Sequence, residues 1–451
     1  MTTLQHDALA TAARPLRLGR LDRIVGTHAE VTGLSLATGD IVDVGDGNIT
    51  QAEVVAVDRN RATVLPLGSF HGRRVGEPVR ALGSTLMAPT GAGLIGRVLD
   101  GLGRPIDDRG ELLDSQLVPL HNEPPPPMHR PLVTEPLQTG VRAIDGLLTV
   151  GKGQRLGIMA GSGVGKSSLL SMLLRGTDAD VTVLALVGER GREVREFIEH
   201  DLGPDGLASS VVIVATSDQP ALIRRNAAYL ATRVAEGFRD EGADVLLLMD
   251  SLTRFAMAQR EIGLAGGELP ASRGYPPSVF NQLPQLLERA GTSPTGSITG
   301  FYTVLVEGDD MNDPVGDTSR AILDGHLVLS RKLANSGHFP SLDVLQSASR
   351  VAGKVTSAEH QAAANQFRQH LATYEEARDL IELGMYAPGA DLAIDEAVRL
   401  HPDVIDFTRQ PIDQLEQFDD TLRALEVVVG RPAMPNQNDP TGTIPESKMT
   451  R

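Results

Sequence analysis

The sequence predicts an α/β protein: a mostly parallel sheet covered by helices, preceded by a small β-barrel and followed by a helical segment. Three observations predict it. Short alternating runs fill the start of the chain, strand-sized apolar runs then alternate with helical stretches, and after Ser357 only helical spacing remains. In the alternating region an apolar strand, Leu156 to Met159, runs directly into a glycine-rich turn. Lys166, Ser167 and Ser168 then open a helix carried by Leu169, Leu170, Leu173 and Leu174.

Met1 to Ala13 has a weak apolar face (Leu4, Ala8, Leu9, Ala12) that Pro15 stops, so segment 1–17 reads as a frayed terminus or a helix that docks a partner. From Leu18 to about Met87, runs such as Asp40–Val44, Ala52–Val57 and Ala62–Leu67 are separated by Gly and Asp turns. Such close spacing predicts a small closed barrel over 18–90. A glycine-rich passage, Gly96–Pro105, follows, and the run Pro124–Pro127 reads as a stiff exposed linker at a domain border. Strands are expected at Leu156–Met159, Val181–Val187, Val211–Ala215, Val245–Met249 and Tyr302–Val306, inside a central domain over 91–356. In a sheet of this type ligands sit at the strand carboxyl ends. Phe367, Leu371, Tyr374 and Ile381 recur near helical spacing, and helical segments follow at Ile394–Leu400 and Leu415–Leu425, giving a helical domain over 357–430. The stretch 431–451, rich in Pro, Asn, Thr and Gly, reads as a disordered tail.

The turn itself, Gly161-Ser162-Gly163-Val164-Gly165-Lys166-Ser167-Ser168, is a phosphate cradle. Its glycines free the backbone of Cβ atoms, so consecutive N–H groups can close around a polyphosphate at the positive end of a helix. Lys166 would reach the β- and γ-phosphates and the Ser167 hydroxyl would ligate magnesium. The strict pattern begins with Gly where this chain has Ala160. A net charge of −16 and 3% aromatic residues argue against a bulk nucleic-acid binder. With no cysteine there is neither a disulfide framework nor a thiolate metal site, which suits a cytoplasmic protein. The longest apolar runs are far below a membrane span.

A cradle only binds; hydrolysis also needs a metal anchor, an oriented water and positive charge at the phosphates. Asp250 ends the apolar run Val245–Met249 and is the candidate anchor beside Ser167. Glu189 lies just beyond the Val181–Val187 strand, where a carboxylate can accept a hydrogen bond from attacking water. The alternative for Glu189 is a surface pair with Arg192 or Arg195. Arg190 and Arg254 are candidate γ-phosphate ligands, with solvated ion pairs as the alternative.

With Gly96–Pro105, Thr139–Asp145, Ala160–Ser168, Gly188–Arg192, Asp250–Arg260, Arg273–Pro277 and Ser347–Arg350 in fixed order, the chain resembles the flagellar and type III secretion export ATPases, relatives of the α and β subunits of rotary ATP synthases. The resemblance implies a RecA-like P-loop NTPase core that hydrolyses ATP with magnesium. It implies Glu189 as the catalytic carboxylate, Arg190 and Arg254 at phosphate-contacting positions, and Arg350 as an arginine finger reaching the neighbouring subunit's nucleotide. Phe339 matches the aromatic that stacks on adenine, and Ile412 falls near a second wall of the base pocket. It further implies a homohexamer, a stator-like regulatory partner at the N-terminus, and work on chaperones and secreted substrates at an export gate, peripheral to the membrane. Overall wording leans to the flagellar branch. Three other readings compete. The catalytic subunit of a proton- or sodium-driven rotary enzyme would resemble this core, but the vacuolar type carries a large insertion before the phosphate loop that 451 residues do not accommodate, and the Arg273–Pro277 wording fits the export branch better. A non-catalytic nucleotide-binding subunit would carry Gln at position 189, and a hexameric RNA translocase conflicts with the charge.

Overall fold

The computed structural model describes residues 17–306 and 313–430. The expected N-terminal helix and the 431–451 tail lie outside the described residues. Six short strands form a closed barrel: β1 (Leu18–Val25), β2 (His28–Thr32), β3 (Ile41–Val44), β4 (Thr50–Asp58), β5 (Arg61–Pro66) and β6 (Pro78–Ala81), in the order β1-β2-β5-β4-β3-β6. All its ladders are antiparallel. Period-2 alternation turns Leu21, Val31, Val42, Val54, Val64 and Val79 inward to fill it.

The second body is one large sheet. Along its main path run β7 (Val98–Asp100), β8 (Arg155–Ala160), β9 (Val181–Glu189), β10 (Ser210–Thr216), β11 (Asp244–Asp250), β12 (Ser297–Leu305), β13 (Gly325–Leu329) and β14 (Leu342–Ser349), and a two-residue strand, Gly291–Thr292, pairs antiparallel with β12 off that path. The strands of the main path lie in the order β14-β13-β8-β12-β11-β9-β10-β7. Every pair in that series is parallel except β13 with β14. Because helices cover both faces, successive residues of one strand enter different cores. Val183, Ala185 and Val187 pack into one, Leu184 and Leu186 into the other. β7 precedes the proline run yet pairs with β10, so Pro124–Pro127 is not a border between bodies. That run is an exposed strap on the central body, which begins before it.

Helices α1 (Arg142–Leu147), α2 (Lys166–Gly176), α3 (Gly191–Glu196), α4 (Ala221–Asp240) and α5 (Leu252–Ala265) belong to the central body; α6 (Ala358–Glu382), α7 (Leu392–Thr408) and α8 (Phe418–Val428) follow it. The last helix starts at Phe418, not Leu415, because the chain before it is spent in a turn at Ile412 and Asp413, with the Gln414 N–H on the Pro411 carbonyl, and Asp419 and Asp420 supply the acidic first turn of α8.

Two latches join the three bodies. Arg225 on α4 donates to both carboxylate oxygens of Glu53 on β4, at 2.7 and 2.8 Å, and both side chains are buried. At the other end Arg142, at the start of α1, donates to the carbonyls of Asp406, Phe407 and Arg409, and its backbone N–H donates to Gln410 Oε1. The start of α1 is itself fixed by fully buried Asp145, which accepts from Thr139 Oγ1 at 2.6 Å and from the Thr139 and Gly140 N–H groups. The Thr139–Asp145 motif is therefore the clamp that holds the helical body.

Candidate nucleotide site

β8 ends at Ala160, the chain turns through Gly161–Gly165, and α2 begins at Lys166. Gly163 and Gly165 have φ of 74° and 89°, the left-handed region that a side chain disfavours. Gly165 is needed for a second reason. A Cβ there would sit 3.1 Å from the Phe339 ring. The loop is held from outside by Ser341 Oγ, which donates to the Val164 carbonyl, and by Arg331 Nη1, which donates to the Ser162 carbonyl at 3.2 Å. Ser167 is exposed at the helix start, and Ser168 is half-buried.

The loop forms one wall of a cavity of about 620 Å³, and Leu186, Glu189, Arg190, Glu193, Asp250, Arg254 and Arg331 line the rest. Within it Lys166 Nζ donates to Asp250 Oδ1 at 2.6 Å and stands 3.7 Å from Glu189 Oε1. Thr303 Oγ1 donates to the same Asp250 oxygen at 2.6 Å. Burial pushes the Glu189 carboxyl up, Asp250 adds to this, and Lys166 and Arg254 pull it back without cancelling the rise. For Lys166 burial opposes the charge, but Asp250 and Glu189 outweigh it and hold its pKa above the ordinary lysine value. A raised carboxyl, a cation and a second carboxylate at one strand edge form an arrangement suited to proton and phosphate chemistry.

The surface-pair alternative for Glu189 is removed by the partners of the nearby arginines. Arg192 bonds Glu196 and Arg195 bonds Glu199, each one helical turn on. Arg190 lies on the cavity rim, four-fifths exposed and bonded to Glu193 at 3.0 Å. Arg254 enters from α5, its stem packed on Gly188, where any Cβ would lie 2.9 Å from the Arg254 Cβ. Ser251 caps that helix by accepting from the Arg254 N–H.

The ATP synthase alpha/beta family, nucleotide-binding domain, matches residues 140–349, and the T3SS EscN ATPase C-terminal domain matches residues 356–427. The flagellum-specific ATP synthase of Bacillus subtilis is 50% identical over 92% of this chain and 95% of its own. The type 3 secretion system ATPase of Xanthomonas euvesicatoria is also 50% identical, over 95% of this chain and 97% of its own. The chain belongs to the flagellar and type III secretion ATPase family. Among solved structures, the assembled ATPase EscN of enteropathogenic E. coli superposes with a TM-score of 0.88 at 44% identity, over 91% of this chain and all of that one. EscN in complex with its central stalk EscO gives 0.85 at 43% identity.

Three of the expected site residues of this export-family ATPase, Phe339, Ile412 and Arg350, lie away from the cavity lining. Phe339 is exposed against Gly165, and its carbonyl accepts from the Gln410 N–H. Ile412 is exposed too, and its carbonyl accepts from Arg175 on α2, so both flank the helix that the loop opens. Arg350 follows β14 at the opposite end of the sheet from the loop. Ser349 pairs with Gly325 at the start of β13, whereas Ala160 pairs with Leu329 at its end. There the Arg350 N–H donates to the Asp324 carbonyl, and Nη2 donates to the Arg320 carbonyl. Arg331, Thr303 and Glu193 were not legible as site residues. Arg331 is 169 positions from the carbonyl it holds, and Thr303 is 53 from Asp250, so no local pattern links them.

Proposed function

We propose that this ATPase hydrolyses ATP at the cavity beside the Gly161–Ser168 loop and drives type III protein export as a ring of six identical chains. The observation that carries the reading is the convergence of Lys166, Glu189 and Asp250 in one cavity with the loop. The loop N–H groups and Lys166 bind the phosphates, Lys166 leaving Asp250 to do so. Ser167 and Asp250 offer the hard oxygen donors that magnesium takes. Magnesium would supply charge neutralisation at the phosphates. Glu189, raised and half-freed by the movement of Lys166, accepts from the attacking water; Arg254 and Arg190 meet the γ-phosphate; Phe339 covers the base, with Ile412 on the other side.

Arg350 is too far round the sheet to serve its own loop, which supports its delivery to the neighbouring chain's nucleotide. The solved relative described as assembled, and its complex with a central stalk, support a ring that takes a regulatory partner. The N-terminal segment is the proposed dock for a stator-like partner, and chaperones, secreted substrates and an export gate are the proposed clients. Among the described residues no helix is long and apolar enough to cross a membrane. The proposed place of action is the cytoplasm, with peripheral attachment to the membrane export apparatus. The test is Glu189→Gln: turnover should fall by about two to four orders of magnitude with nucleotide affinity kept. Turnover near that of the unaltered protein would overturn the assignment.

A further inference from the structure

Thr303 is wholly buried near the end of β12. A valine would fill the same space on a strand, and a buried hydroxyl is costly unless it is bonded. Its partner is Asp250, whose Oδ1 accepts from Thr303 Oγ1 at 2.6 Å. The placement follows from register. Met249 lies opposite Tyr302, so one step further sets Asp250 beside Thr303 on the same face of the sheet. Two residues on, the Leu305 N–H donates to Thr253 Oγ1 at 2.9 Å, which pins the first turn of α5, the helix that carries Arg254. The end of β12 is thus a template for two groups of the cavity. Lys166 and Thr303 both donate to Oδ1, which concentrates the remaining acceptor capacity of the carboxylate on Oδ2.

We infer that Thr303 is a positioning residue of the hydrolytic site: its hydroxyl keeps the Asp250 carboxylate in one orientation when Lys166 turns to the phosphates. The inference rests on the proposed metal-side role of Asp250. Among the described residues Lys166 and Thr303 are the two side-chain anchors of this carboxylate, and once the lysine leaves, the threonine is the one of them that stays.

The test compares the affinity of a fluorescent ATP analogue with and without Mg²⁺, alongside kcat. In Thr303→Val, magnesium-free binding should stay within about twofold, while the affinity gain from Mg²⁺ and kcat should each fall roughly ten- to hundredfold, as for a lost hydrogen bond to a charged group. Thr303→Ser should restore both. Thr303→Val with an unchanged Mg²⁺ gain and kcat overturns the inference. Should the valine variant fail to fold, Thr303→Ala against Thr303→Ser decides, because both lose the methyl and only one loses the hydroxyl; equal behaviour of the two overturns it. Asp250→Asn separates the layers. If it keeps the Mg²⁺ gain, the metal-side reading of Asp250 fails; if it loses the gain while Thr303→Val keeps it, only the role of Thr303 falls.

Discussion

Arg225→Ala tests how the barrel is held. Arg225 and Glu53 have side chains 7% and 6% exposed, and the guanidinium also bonds Asn226 Oδ1 through Nε and Nη2. Removing the arginine strands the Glu53 carboxylate in the junction, which costs about 3–5 kcal/mol. Unfolding entropy is about 2.1 cal/mol/K per residue, so if roughly 400 residues melt as one unit, a loss of ~4 kcal/mol lowers Tm by about 5 °C. If the barrel instead melts alone, its far smaller entropy turns the same loss into an early, separate transition. Calorimetry distinguishes the two. Replacing both residues with Met should recover more than half of the loss, since an apolar pair leaves no stranded charge. A single transition within about 1 °C of the unaltered protein for Arg225→Ala would refute the reasoning.

Because burial and Asp250 raise the Glu189 pKa, the acid limb of kcat/KM should lie above the ordinary glutamate range: activity is present while Glu189 is ionised and is lost as pH falls through its pKa. An acid limb that persists in Glu189→Gln would assign it to another group. Asp145 is pushed up to about 7 by burial, against the Thr139 and Gly140 donors that favour its carboxylate. Asp145→Asn turns an NH₂ group toward those donors and should cost about 1–3 kcal/mol, read by chemical denaturation. Mixing Arg350→Ala chains with Lys166→Ala chains should recover part of the activity, because some junctions then pair an intact loop with an intact finger; phosphate release no greater than the sum of the separate variants would count against a shared site.

The central strands were legible because burial on both faces makes them continuous apolar runs, as in Val245–Met249, and the same runs pointed to Glu189 and Asp250 at their carboxyl ends. Three strands of the sheet's main path were not. β7 has three residues inside a glycine-rich passage, β13 has five, and β14 mixes Asp, Gln and Ser into its pattern because much of one side is open. Their identity as strands depends on partners far away in the chain, such as Val98 against Val212. The cradle could be read from spacing, whereas the groups that brace it, Arg331 and Ser341, could not.

β8 carries the phosphate loop at one end and, at the other, Arg155, which bonds Asp324 through Nε and Nη2 and pairs with Glu288 at 2.7 Å. Asp324 in turn receives the Arg350 N–H. Six residues at about 3.3 Å each make this strand a strut of ~20 Å. In the proposed ring such a strut would act as a gauge block between the loop of one site and the Arg350 proposed to serve the next, so that a tilt opening the loop would also swing that arginine.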